Sequence, residues 1–138
     1  MNLDIGGKRP VDGDQVFLVG RPSGSAEPPF VLLHDAAKQK RAKRNIRSVG
    51  AVAVVASLGT GHFIEIAYPH WGTVWFCASK IRGVRALSPD ELSNSSETVG
   101  SLVLFEHDPT PEDEHAGFLL FGMAADSVAR LLTPAARA

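Results

Sequence analysis

Val49-Gly50-Ala51-Val52-Ala53-Val54-Val55-Ala56-Ser57, then Gly59-Thr60-Gly61, then His62-Phe63-Ile64-Glu65-Ile66-Ala67-Tyr68 follow one another almost without interruption. The run of Val and Ala from Val49 to Ser57 predicts a strand buried on both faces. Gly59-Thr60-Gly61 predicts a hairpin turn after it. The next stretch alternates, with Phe63, Glu65 and Ala67 on one side and Ile64, Ile66 and Tyr68 on the other. That is the pattern of a half-buried strand. Pro69-His70-Trp71-Gly72 reads as another turn, and Thr73 to Cys77 as a further strand. Short strands joined by tight turns predict a mainly β fold, a small barrel or rolled antiparallel sheet.

The flanks extend this pattern. Val11-Asp12-Gly13-Asp14 reads as a turn before a strand from Gln15 to Val19. Gly20 to Pro29 is a loop by composition, and Phe30 to His34 a short apolar strand. Asp35 to Ser48 reads as a long basic loop with at most one helical turn. Ala78 to Val84 predicts a short helical turn or an irregular strand. Ser88-Pro89-Asp90-Glu91 is a helix start, with Ser88 as cap, Pro89 at the first position and Glu91 completing a capping box. Ser101 to His107 and Gly117 to Gly122 read as two strands around an acidic loop. Ala124 to Leu132 predicts a C-terminal helix with Val128, Leu131 and Leu132 at core spacing.

The 138 residues fit a single domain, 1–138, large enough to bury a core without staples. The hydrophobic fraction of 44% and charged fraction of 21% argue against disorder and coiled coil. No apolar run reaches the roughly 18 residues of a transmembrane helix. Met1 to Pro10 is polar, without an apolar signal core, so a cytoplasmic protein away from membranes is expected. Cys77 alone excludes an internal disulfide and any multi-cysteine zinc site. The net charge of −1 conceals an asymmetry. Residues 1–89 hold 12 Lys/Arg and 6 Asp/Glu, whereas residues 90–138 hold 2 and 9. Lys38, Lys40, Arg41, Lys43, Arg44 and Arg47 are concentrated in one segment. Glu106, Asp108, Glu112, Asp113 and Glu114 are concentrated in another. Such a split marks a partner surface or a self-neutralising pair. A basic segment without interleaved aromatics favours phosphate contact over base stacking.

Three pieces in order resemble one known family. The first is Gly13-Asp14-Gln15-Val16-Phe17, followed by Pro22-Ser23-Gly24-Ser25-Ala26-Glu27 and Val31-Leu32-Leu33. The second is Val54-Val55-Ala56-Ser57. The third is Ala78-Ser79-Lys80-Ile81-Arg82-Gly83-Val84, followed by Leu87-Ser88-Pro89-Asp90-Glu91-Leu92. Together they resemble the MazF/PemK family of toxin ribonucleases over about residues 13–92. The resemblance implies an SH3-like barrel shared with CcdB, metal-independent cleavage of single-stranded RNA, a homodimer and an antitoxin-like partner. Residues 93–138 lie outside it, as an acidic strand–loop–strand–helix extension. Two positions depart from the family pattern. Glu27-Pro28-Pro29-Phe30 lacks the family's arginine, and Ser79 stands where the family has an aspartate. The implied catalytic set is therefore incomplete.

Metal-free RNA cleavage needs a base, an acid and a cation beside the phosphorane. Arg82, in the matched motif, is the candidate cation. Arg21, in the first loop, is a second, and His70, in a turn, is the candidate acid or base. Ser57, Thr60, Lys80, Lys40, Arg41, Lys43, Arg44 and Trp71 are candidate RNA contacts. No cofactor is expected. The spacing of His34, His62 and His70 matches no metal-ligand pattern. Cys77, in an apolar strand, reads as a buried inert thiol. Two alternatives to an endoribonuclease remain open. One is a non-enzymatic SH3-like module binding protein or nucleic acid. The other is a structural subunit of a larger assembly.

Overall fold

The computed structural model describes residues 2–6, 9–23, 27–35, 37–38, 40–46, 49–68, 71–106 and 117–132. Within them the fold is mainly β, with three antiparallel sheets, short helices and a C-terminal helix. The chain divides into two compact units, Met1–Ser79 and Lys80–Ala138.

The first unit begins with β1 (Asn2–Leu3) and β2 (Val11–Asp12), which pair with each other. A 3-10 turn, Gly13–Gln15, follows, capped where the Asp12 carboxylate accepts from the Asp14 amide at 3.0 Å. Then come β3 (Val16–Pro22), β4 (Phe30–Asp35), β5 (Lys40–Asn45), α1 (Ala51–Leu58), β6 (Phe63–Tyr68) and β7 (Gly72–Cys77). Their sheet runs β5-β4-β3-β7-β6, so β3 is central and β5 and β6 are edges. Among the described residues this sheet is open, not a closed barrel. One face carries Val16, Val19, Val31, Leu33 and Trp75. These join Leu3, Ile5, Val11, Ile46 and Ala51, Val54 and Val55 of α1 in one core. Each fully buried aliphatic side chain there contributes about 1.5–3 kcal/mol.

The expected strand from Val49 to Ser57 is a helix instead. Burial falls on Ala51, Val54 and Val55, at helical spacing, while Val52 is 58% exposed. A short run of Val and Ala reads equally well in either period, so one-sided burial decides it. Gly50 and Gly59, both at positive φ, bound the helix, and the Gly59 amide closes its end on the carbonyls of Val55 and Ala56. The expected Gly59 hairpin turn is therefore a helix-to-strand link, with Thr60–His62 in a 3-10 turn. The basic segment is likewise not a loop. Its residues Lys40–Asn45 form β5, because pairing with β4 imposes extended backbone that local propensity does not. The turn before it is local chemistry: the Asp35 carboxylate accepts from the amides of Ala37 and Lys38, at 3.0 and 3.2 Å.

The second unit holds β8 (Ile81–Ala86), α2 (Pro89–Leu92), β9 (Gly100–Phe105), β10 (Phe118–Phe121) and α3 (Ala125–Leu132). The sheet order is β10-β9-β8, and the central β9 is buried along its whole length. A 3-10 turn, Ala78–Lys80, precedes β8, so the segment from Ala78 to Val84 combines both predicted conformations. Leu87, Leu102 and Leu104, with Leu92 and Phe121, form a core. In α3, Val128 and Leu132 are buried as expected, but Leu131 is 41% exposed and faces away from the core. The capping box forms as its sequence predicts. The Glu91 amide donates to Ser88 Oγ at 3.3 Å, and the Ser88 amide donates to the Glu91 carboxylate at 2.9 Å. Arg85 adds two guanidinium bonds to the same carboxylate, at 2.8 and 2.9 Å.

Those Arg85 bonds, reinforced by the Ser88 amide, hold the Glu91 carboxyl at about 2 against the ordinary 4.5. A lowered carboxyl contributes stability that is present above the ordinary value and lost as pH falls toward 2. Glu91→Gln should therefore cost about 0.5 kcal/mol at pH 7, and the difference from wild type should shrink between pH 4.5 and 2, measured by urea unfolding. A gap unchanged at pH 2.5 would disprove it. Ser101 supplies a second expectation. It is fully buried in β9, and among the described residues its hydroxyl has no hydrogen-bond partner. Ser101→Ala should raise stability by about 1 kcal/mol, seen as a higher urea midpoint.

Candidate nucleic-acid interface

Strand alternation sorts the basic segment. Lys40, Ala42 and Arg44 lie on the α1 side of the sheet, and Arg41, Lys43 and Asn45 on the other. Lys40 and Lys43 are exposed, whereas Arg41 and Arg44 are half-buried. Arg44 donates to the Arg9 carbonyl at 3.3 Å. Lys43 Nζ lies 4.5 Å from the centroid of the Phe30 ring, and the Arg41 guanidinium 4.9 Å from that of Phe17. A cation over an aromatic face is attracted by the ring's quadrupole. Phe17 reaches that place as the extra residue of a β-bulge, since Val16 opposes Leu33 and Leu18 opposes Leu32.

Phe30 also meets Trp71 in an edge contact, with centroids 5.7 Å apart and ring planes at 76°. Gly20, opposite Phe30 on β3, makes room for both rings. A Cβ there would lie 2.7 Å from Phe30 Cζ and 2.8 Å from Trp71 Cη2. The Trp71 backbone is tied on both sides. Its amide donates to the Tyr68 carbonyl at 3.0 Å, and its carbonyl accepts from the Ser23 amide at 2.8 Å. The aromatics missing from the basic segment are thus supplied by neighbouring strands. Phe30 and Phe17 escaped the sequence reading because their partners are cross-strand, not local.

The other candidates are distributed. Arg21 is exposed on β3 and lies over the Trp75 ring at 5.3 Å, on the α1 side. Ser57, in the last turn of α1, and Thr60, in the turn after it, are exposed on a different element from the β5 cations. Arg82 and Lys80 belong to the second unit. Arg82 is exposed and is the extra residue of a bulge between β8 and β9. The Lys80 carbonyl accepts from the Glu106 amide at 2.9 Å. His70 lies outside the described residues, as do Arg47 and the acidic positions Asp108, Glu112, Asp113 and Glu114. Cys77 is buried as expected, with its sulfur 3.6 Å from Ser79 Oγ. Among the described residues no group of three His, Cys, Asp or Glu side chains is placed to hold a metal. No described helix is long and apolar enough to cross a membrane.

The chain matches no protein-family model, no curated protein and no solved structure.

The seating of Trp71 over Gly20 is directly testable. Gly20→Ala should cost about 1–3 kcal/mol and shift tryptophan emission to the red as Trp71 is pushed toward water. Unchanged emission and an unchanged urea midpoint would show that the two rings do not need this gap.

Proposed function

We propose that the chain is a binding module that holds RNA by its phosphates along β5. The observation that carries this reading is the strand itself. It places Lys40, Arg41, Lys43 and Arg44 at a sheet edge with no acidic residue among them. Clustered cations attract a polyanion and release its counterions on contact. Arg41, over Phe17, and Arg44, bonded to Arg9, are partly ordered before any ligand arrives. The same charges serve the sheet, since cations on an edge strand discourage pairing with a second sheet.

A second reading is a diverged MazF/PemK-like toxin that cleaves single-stranded RNA without a metal, as a homodimer with an antitoxin-like partner. The order of the three sequence motifs favours it, together with the exposed Arg82 at a bulge, a device that re-aims a side chain. Arg82, in the matched motif, would be its catalytic cation.

One set of incubations separates the two. Purified protein with a long mixed-sequence RNA and EDTA should leave the RNA intact if the chain only binds. Discrete fragments from wild type and none from Arg82→Ala would establish the nuclease instead. Binding is followed by anisotropy of a labelled RNA between 50 and 200 mM salt. The slope of log K against log salt should fall by about 2 in the Lys40→Glu, Lys43→Glu double variant. No binding at 50 mM salt, or a slope unchanged by the substitutions, would sink the β5 reading.

A further inference from the structure

Trp71 differs from Trp75 in one respect that matters for a ligand: Trp75 is 6% exposed in the core, whereas Trp71 is half-buried at the surface. Its main chain is anchored to Tyr68 and Ser23, and the tip of its indole lies over Gly20, with the indole and the Phe30 ring in a T-shaped contact. Lys43 stands over that same Phe30 ring. A fixed aromatic surface and an exposed cation therefore flank one buried ring, on one face of the sheet.

We infer that Trp71 is a base-stacking platform, and that the RNA held along β5 is taken as a single strand. One unpaired base lies on the indole, and a neighbouring phosphate meets Lys43. This rests on the reading of β5 as the RNA-binding strand, and adds to it the form of the nucleic acid. The physical argument is selective. Phosphates are offered by duplex and single strand alike, but the flat face of a base is offered only when it is unpaired and unstacked. An indole whose main chain is anchored and whose tip is packed over Gly20 loses little freedom when a base covers it.

The test uses three probes: a labelled oligouridylate, a duplex RNA of equal length, and heparin, a polyanion without bases. The oligouridylate should quench tryptophan emission, and a Trp75→Phe variant should keep that quench. Trp71→Ala should weaken oligouridylate binding roughly tenfold while leaving heparin binding unchanged. Trp71→Phe, which keeps a ring, should recover most of the loss and covers the case in which Trp71→Ala does not fold. Equal loss for oligouridylate and heparin, or duplex bound as tightly as oligouridylate without quenching, would overturn the stacking role alone. A wild type that binds neither oligouridylate nor heparin would overturn the β5 reading, and this inference with it.

Discussion

The double pairing of β3 is the constraint on which the first unit depends. Its register with β4 on one side and β7 on the other fixes a single row across five strands: Arg44, Val31, Val19, Trp75 and Glu65. The row runs from a cation at one edge, through residues closed to solvent, to an acid at the other. A slip of one residue in β3 would turn its core side chains to the opposite face. The next row contains Gly20, and with it the gap that receives Phe30 and Trp71. Core and candidate interface are therefore set by the same ladder.

That ladder also explains why cations and rings meet. Arg41 and Lys43 are brought to the face that carries Phe17 and Phe30 by pairing of β5 with β4 and of β4 with β3. Long cationic side chains cover apolar rings while their heads stay near water. Asp35 of β4 stands opposite Lys40, whereas Arg41, Lys43 and Arg44 stand opposite His34, Leu32 and Val31, so the positive potential along these three is retained for a ligand.

Much of the second unit was legible because its signals are local. Ser88, Pro89 and Glu91 specify a helix start within four positions, and the structure forms it as written. Alternation in β6 also held, with Ile66 and Tyr68 buried and Glu65 and Ala67 exposed. The failures have physical reasons. Val and Ala between Gly50 and Gly59 fit two periods, and burial of Ala51, Val54 and Val55 against β3 and its neighbours selected the helix. Lys40 to Asn45 offers no apolar alternation, because an edge strand need not bury either face. The cations of the candidate interface could be read from composition. Phe30 and Phe17 could not, since contact with the cations depends on cross-strand register.

The sheet order has a kinetic consequence. Neighbours β3, β4 and β5 are sequential in the chain, as are β6 and β7, so these antiparallel pairs close over short connections. Joining the two groups requires β3 to find β7. Ser23 and Trp71, which bond at the end of that ladder, are 48 positions apart. Closing a loop of this length costs entropy before any β3–β7 contact compensates it, and topologies rich in such pairings fold slowly. The central ladder that defines the finished sheet is thus the one whose assembly the chain must wait for. The edges of β3 and β7, apolar and unpaired until then, are where a nascent chain is most open to association with another.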